Sequence, residues 1–216
     1  MKTFGNMFKK AFMVTIVMII ICGLIYPFVL TGLGQLFFKH QANGSMVTVN
    51  GKEVGAEYVG QQFTDERFFK GRPSQYHYNT YTEDGYYAGE EKTDENKYAG
   101  VSSGSANYGN SNPDLKKRVE EDLEKFKEAN PEVADKEIPG DLLTASGSGL
   151  DPHISPASAE IQIPAISEAS GLSEKELKDI VKDNTTGKVL GVFGEETVNV
   201  LGCNIDIAEK LGILED

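Results

Sequence analysis

No acidic side chain precedes Glu53, no formal charge lies between Ala11 and Phe38, and cysteine occurs twice in 216 residues, as Cys22 and Cys203. The missing acids leave Lys2, Lys9 and Lys10 as the only charges ahead of the apolar run. The scarcity of cysteine excludes a disulfide framework: Cys22 sits inside the apolar run and Cys203 far beyond it, so the two do not pair. Neither has metal-type neighbours, and both read as packing residues. No internal repeat is visible. A domain outside the cytoplasm that needs no disulfide fits a bacterial envelope protein whose core suffices.

What is present begins with AFMVTIVMIIICGLIYPFVLTGLGQLFF, residues 11–38. About 20 apolar residues cross a hydrocarbon layer as a helix. The run exceeds that length, with a core at about 12–33, and its backbone must bond to itself in lipid. Pro27 is expected to kink the helix or mark its outer third. Lysines before the run and only Lys39 just after it place residues 1–10 in the cytoplasm and 39–216 outside. The run is too long for a signal-peptide core, and His40-Gln41-Ala42 is a poor cleavage site. A lipoprotein reading of Cys22 fails on the bulky Ile21 before it. The expected architecture is a single N-terminal transmembrane helix plus one α+β extracytoplasmic domain in the cell membrane.

The first 40 residues hold four lysines and no acid, so with a net charge of −12 the rest carries −16. Such a surface argues against nucleic acid and against anionic lipid as partners. The diffuse charge reads mainly as a solvated face.

Along the outer domain, MVTVNGKEV (46–54) reads as a hairpin about Asn50-Gly51. Tyr58, Val59, Phe63 and Phe68 are expected in the core, followed by a turn at Gly71-Arg72-Pro73-Ser74. Residues 75–112 form an excursion rich in tyrosine, with Glu83, Asp84, Glu90, Glu91, Asp94 and Glu95 among the aromatics. It has neither a helical nor a strand period. It reads either as a surface excursion with tyrosines packed back on the domain, or as a docking surface.

Helix signals follow. Asn112 caps, Pro113 opens and Asp114 favours a helix carrying Leu115, Val119, Leu123 and Phe126, which Asn130-Pro131 stops. Ser155-Pro156 starts another, broken at Pro164, with a segment ending at Gly171. Ser173 and Glu176 form a capping box with a Leu172/Leu177 staple; Leu177, Ile180 and Val181 face the core. KVLGVF (188–193) and TVNVL (197–201) read as strands. Asn204 is expected to cap a last helix to Leu211, ended by Gly212.

Chemistry concentrates in LTASGSGLDPHISP (143–156), where Ser146, Ser148, Asp151 and His153 fall close together. A nucleophile elbow needs glycine two before and two after the serine; Ser148 has Ser146 at the first position. Asp151, His153 and Glu160 fall short of a zinc pattern, and the glycines lack the acidic spacing of a calcium loop. The composition is explained by a tight loop whose serines and Asp151 bond backbone and cap the Ser155 helix. Gly187-Lys188 precedes Val189, so no phosphate-binding loop exists.

LTASGSGLDPHISPASAEIQIPAIS (143–167) closely resembles the signature of the C subunit of the Kdp potassium-transporting P-type ATPase, the KdpC family. In order along the chain, GQQFTDERFFKGRPS (60–74), SSGSANYGNSNPDL (102–115) and TTGKVLGVFGEETVNVLGCNIDI (185–207) are similar to that family's other segments. The likeness spans nearly the whole chain, although Tyr81 to Tyr98 is longer and more acidic than the family pattern. The residues that carry it are Gly71, Arg72, Pro73, Ser74, Asn112, Pro113, Ser146, Gly147, Ser148, Gly149, Asp151, Pro152, His153 and Asn199, whose roles the resemblance does not assign.

The resemblance implies a non-catalytic accessory subunit of a high-affinity, ATP-driven potassium importer. It would support assembly and raise the ATP affinity of the catalytic subunit as a catalytic chaperone. Its partners would be the potassium-binding channel-like subunit, the P-type ATPase catalytic subunit and a small single-helix subunit. No cofactor or metal is expected on this chain itself; ATP and potassium would be handled by the complex. The competing classes are a membrane-tethered hydrolase using Ser146 or Ser148 with His153, and a solute-binding or sensor domain.

Overall fold

The computed structural model describes residues 2–88, 92–94 and 96–214. Contacts divide the chain into two units, Met1–Met46 and Val47–Asp216.

The first unit is helical almost throughout. Helix α1 (Lys2–Ile20) passes through a π turn (Ile21–Ile25) into α2 (Tyr26–Phe37), and α3 (Lys39–Ala42) follows after Phe38. The stretch Phe4–Phe37 is long enough to cross a bilayer, with mean hydropathy 2.7 in its most apolar window. The expected irregularity falls on the turn before Pro27, which occupies the first turn of α2. Proline cannot donate to the carbonyl four residues back, and a widened turn accommodates that gap. Helical geometry begins at Lys2, ahead of the apolar run.

The second unit opens with the expected hairpin, β1 (Met46–Val49) and β2 (Lys52–Ala56). Asn50 and Gly51 take positive φ, 49° and 81°, which is what a tight hairpin turn demands of its two central residues. The main sheet is small and antiparallel, in the order β3 (His153–Ile154), β5 (Thr197–Asn199), β4 (Thr185–Thr186). Around it pack α5 (Pro156–Glu160), α6 (Ile163–Ser170), α7 (Glu174–Asp183) and α8 (Val200–Lys210). Their shared core contains Phe69, Ile163, Leu177, Val198, Cys203 and Ile207. Helix α4 (Pro113–Ala129) carries its apolar residues on a half-buried face.

The local helix signals act as expected. Asn112 Oδ1 accepts from Asp114 N at 2.8 Å, and Ser155 Oγ from Ser158 N at 3.1 Å. Ser173 and Glu176 close a reciprocal capping box, with Glu176 Oε2 accepting from Ser173 N at 3.0 Å. Gly171 ends α6 at φ 76°, and Pro164 lies in the first turn of that helix.

Three expectations fail. Tyr58 and Val59 are exposed, because the chain turns there, with Val59 N bonded to Ala56 O at 3.2 Å. Phe69 fills the core position instead, with Phe63 and Phe68 packed beside it. KVLGVF is no strand: it turns back on itself, Val189 pairing with Phe193, and Lys188 to Phe193 forms an exposed loop. TVNVL is a strand only to Asn199, because Asn199 Oδ1 accepts from Gly202 N at 2.8 Å and caps α8. Asn204 therefore lies inside that helix, buried, rather than at its start.

Within the tyrosine-rich excursion several rings pack on one another. Tyr81 stacks on Tyr98 at 4.2 Å between centroids, and buried Tyr87 lies 4.8 Å from the His77 ring. Glu90, Glu91 and Glu95 of its acidic patch lie outside the described residues.

Candidate functional site: the Arg72 knot

The motif segments 71–74, 102–104 and 144–153 converge on one another. Arg72 is the hub. Its Nη1 donates to Asp151 Oδ2 at 3.3 Å, and its Nε and Nη2 reach Thr144 O at 3.4 and 3.3 Å. Nη2 also reaches Ala145 O at 3.5 Å. A planar guanidinium can serve several acceptors from one position, which a lysine cannot.

Ser74 ties the two segments a second time. Its hydroxyl donates to Gly149 O at 2.6 Å and accepts from Tyr76 N and Tyr78 N at 3.2 and 3.0 Å. Those bonds hold His77, Tyr78 and Asn79 in a left-handed turn, with φ of 46°, 53° and 57°. Each such residue costs roughly 1–2 kcal/mol, so the turn persists only because its surroundings enforce it. The strain aims Tyr78 inward, where its hydroxyl donates to Arg72 O at 2.7 Å. Burial, then the charge of Asp151, pushes the Tyr78 phenol up to about 12.

The glycines permit close approach. A Cβ on Gly149, at φ +65°, would lie 2.4 Å from Gly104 O, and one on Gly60 would lie 2.5 Å from Asp151 O. Gly60 N and Gly104 N donate to Leu150 O and Ser148 O at 2.9 and 2.7 Å. Gly147, by contrast, faces open space at the loop's tip.

The loop's polar side chains are spent on one another. Ser146 Oγ and Ser148 Oγ lie 3.3 Å apart and accept from Gly149 N and Leu150 N at 2.9 and 3.1 Å. Asp151 Oδ1 accepts from His153 N at 3.0 Å and faces His153 Nδ1 at 3.7 Å. The His153 side chain and N–H and the Arg72 charge hold the Asp151 carboxyl below its usual 3.8, against the opposing effect of burial. Both serine hydroxyls are engaged away from His153, so no nucleophile–base pair is assembled and the hydrolase reading loses its support. Among the described residues no group of three His, Cys, Asp or Glu side chains is arranged to hold a metal.

The other motif residues sit at junctions. Pro152 O accepts from Val200 N at 3.0 Å, and His153 is paired in register with Asn199. Asn199 also donates through Nδ2 to Glu57 O at 2.8 Å. Asn112 and Pro113 open α4, and Asn112 N also donates to Gly109 O at 2.9 Å. Pro73 lines a cleft of about 380 Å³ beside the knot, with Lys70, Arg118, Asp122 and Lys125 around it.

Two residues here escape a reading of the sequence, and a third, Asn204, reads there as a helix cap. Tyr78 looks like one of many tyrosines. Asp141 looks like any exposed acid, yet it accepts from Ser155 N at 2.7 Å and Ser158 Oγ at 2.6 Å. Asn204 bonds both polar groups of Phe69, Oδ1 accepting from its N–H at 2.8 Å and Nδ2 donating to its carbonyl at 3.0 Å. Of the three only Asn204 is marked in the sequence, and there as a cap and not as the partner of Phe69.

One apolar helix of membrane-spanning length, an α+β unit, and motif residues consumed in holding that unit together define a membrane-anchored accessory chain. Residues 8–209 match the family described as KdpC: K+-transporting ATPase, c chain. The chain is 56% identical over 213 residues to the Potassium-transporting ATPase KdpC subunit of Clostridium kluyveri, covering 99% of this chain and 98% of that one. It is 57% identical over 206 residues to that of Clostridioides difficile, covering 95% and 98%. To that of Caldanaerobacter subterraneus it is 42% identical over 207 residues, covering 96% and 97%. The chain belongs to the KdpC family and is an accessory subunit of the potassium import complex.

Proposed function

We propose that this chain is the single-pass tether and outer clamp of a four-part potassium importer. The α1–α2 helix lies among the partner subunits' membrane helices, with residues 1–10 in the cytoplasm. The unit beyond Met46 stands outside the membrane and caps the potassium entrance of a channel-like subunit. The catalytic P-type ATPase subunit and a small single-helix subunit complete the assembly. Gly23, Gly32 and Gly34 would allow close helix approach.

The observation that carries this reading is the self-satisfied knot. Arg72, Ser74, Ser146, Ser148 and Asp151 are all engaged within the chain, which suits holding and not turnover. Charge supports the orientation, since Lys2, Lys9 and Lys10 precede the span and acids begin only at Glu53. The acidic outer surface would enrich potassium modestly near the entrance, an effect screened by salt.

In this reading ATP and potassium are handled by partner subunits, and no cofactor sits on this chain. The chain raises the catalytic subunit's ATP affinity through the assembled complex. A coupling of about 1–3 kcal/mol corresponds to a 5–150-fold change in affinity. The test has two arms. Protease added to sealed right-side-out cells should digest residues beyond 46, and digestion only in inverted vesicles would reverse the topology. The ATP concentration giving half-maximal ATPase rate should rise when the complex is prepared without this chain; an unchanged value would remove the chaperone role.

A further inference from the structure

The segment KVLGVF leaves four large apolar side chains in solvent at the end of a loop. Leu190 is 86% exposed and Phe193 65%, and Val189 and Val192 are similarly open. The backbone beneath them is well ordered by its own bonds. Val189 N donates to Phe193 O at 2.8 Å, Phe193 N to Val189 O at 3.0 Å, and Gly191 N to Lys188 O at 3.0 Å. Leu190 takes φ 55° and Gly191 φ 72°, a tight left-handed reversal that splays the side chains outward. A leucine held in that conformation with its side chain wholly in water gains nothing within this chain from either feature.

Charge decides between occupants. Glu195 and Glu196 stand at the base of the loop, and Lys188, its only cation, is paired with Glu195 at 3.3 Å. An anionic bilayer would be repelled by this rim, and the loop carries neither tryptophan nor tyrosine to sit at a headgroup interface. A protein recess lined by apolar side chains and rimmed by lysine or arginine matches both the tip and its acidic base. The chain is a subunit of the potassium import complex, so the other subunits of that complex are its standing protein neighbours.

We infer that the tip Val189–Phe193 is a docking plug that seats in an apolar, basic-rimmed recess on another subunit of the same ATPase complex. The inference rests on membership of that complex and is independent of which side of the membrane the unit occupies.

The test uses the whole complex, recovered through a tag on this chain. The double variant Leu190→Ser, Phe193→Ser should lower the partner subunits recovered per tagged chain by about tenfold or more, as loss of two central anchors does. Val101→Ser, at another exposed apolar position, should leave recovery unchanged. Both replaced side chains are exposed, so the variant's thermal melting should match the wild type. A photo-crosslinking amino acid at Leu190 should join this chain to one partner subunit. Full recovery of partners by the double variant would overturn the inference while leaving the assembly intact. So would crosslinks only to lipid or to a second copy of this chain. A wild-type chain that recovered no partner would remove the assembly and the plug together.

Discussion

Arg72 Nη1 meets Asp151 Oδ2 at 3.3 Å across 79 positions of chain, with about a quarter of each side chain exposed. The pair belongs to a guanidinium already committed to two backbone carbonyls, so its charge serves to fasten a loop and not to receive a substrate. Removing the guanidinium would strand Asp151 and the Thr144 and Ala145 carbonyls together. Arg72→Ala should destabilise the full chain by about 2–4 kcal/mol, and Arg72→Lys by roughly half of that, since one ammonium cannot reach all three acceptors. Denaturant unfolding of the detergent-solubilised chain measures both; equal values for the two variants would mean that the retained charge contributes nothing and the guanidinium's fork geometry carries the whole effect.

The two glycines of Ser146-Gly147-Ser148-Gly149 are separable. Gly149 is left-handed and its added Cβ would press on Gly104 O, whereas Gly147 has free space around it. Gly149→Ala should cost about 2–3 kcal/mol, and Gly147→Ala less than about 1 kcal/mol. Melting temperatures of the two variants compare them directly.

What was legible in the sequence was the local part of the fold. Asn112, Ser155 and the Ser173–Glu176 box announce their helices because cap and first turn lie within three residues of each other. The apolar run from Ala11 announces itself by length. The knot was not legible, because Arg72 and Asp151, or Phe69 and Asn204, meet only after folding, and nothing in their neighbours marks the partner. A likeness to the family picked out Arg72, Ser74 and Asp151 without saying what they bond. KVLGVF misled because Leu190 and Gly191 turn it back on itself, Val189 pairing with Phe193, so its β-prone residues meet no neighbouring strand. Asn204 misled because Asn199, five residues earlier, caps the same helix.

Acid should loosen the knot. Asp151 is held below 3.8 by the His153 side chain and N–H and the Arg72 charge, despite burial. Burial pushes Asp141 up, but the Ser158 hydroxyl and the Ser155 N–H and hydroxyl outweigh it and leave it below 3.8 as well. A carboxyl lowered in the folded state contributes stability above its unfolded pKa and loses it as pH falls through the folded value. Stability should therefore be flat with respect to these groups near neutrality and decline below about pH 4. Asp151→Asn and Asp141→Asn should each lower stability at pH 7 and flatten that decline. A decline as steep as wild type in both variants would assign the acid limb to other carboxylates.

Cys203 is wholly buried on the core side of α8, and burial, with a smaller push from Asp206, raises its thiol to about 12. The thiolate is the reactive form, so Cys203 should be inert at pH 7–8 in the folded chain. In a Cys22→Ala background, maleimide should label it only as denaturant unfolds the unit, and the labelling midpoint should coincide with that of circular dichroism. Fast labelling without denaturant would mean that α8 opens readily from the core.

Asn204 supplies the sharpest test of the core's polar wiring, because one side chain satisfies both backbone groups of Phe69. Phe69 is almost fully buried, so neither group can turn to water when the amide is removed. Asn204→Ala should cost about 2–4 kcal/mol: two buried groups lose their partner and a small void opens. Asn204→Asp keeps the acceptor for Phe69 N–H but faces the Phe69 carbonyl with a second oxygen, and buries charge. It should destabilise at least as much at pH 7 and recover part of the loss in acid, where the protonated carboxyl can donate to that carbonyl. Unfolding free energies of the two variants at pH 7 and pH 5 separate the effects. An aspartate variant that is no more stable relative to wild type at pH 5 than at pH 7 would show that the buried carboxyl does not change its protonation between them.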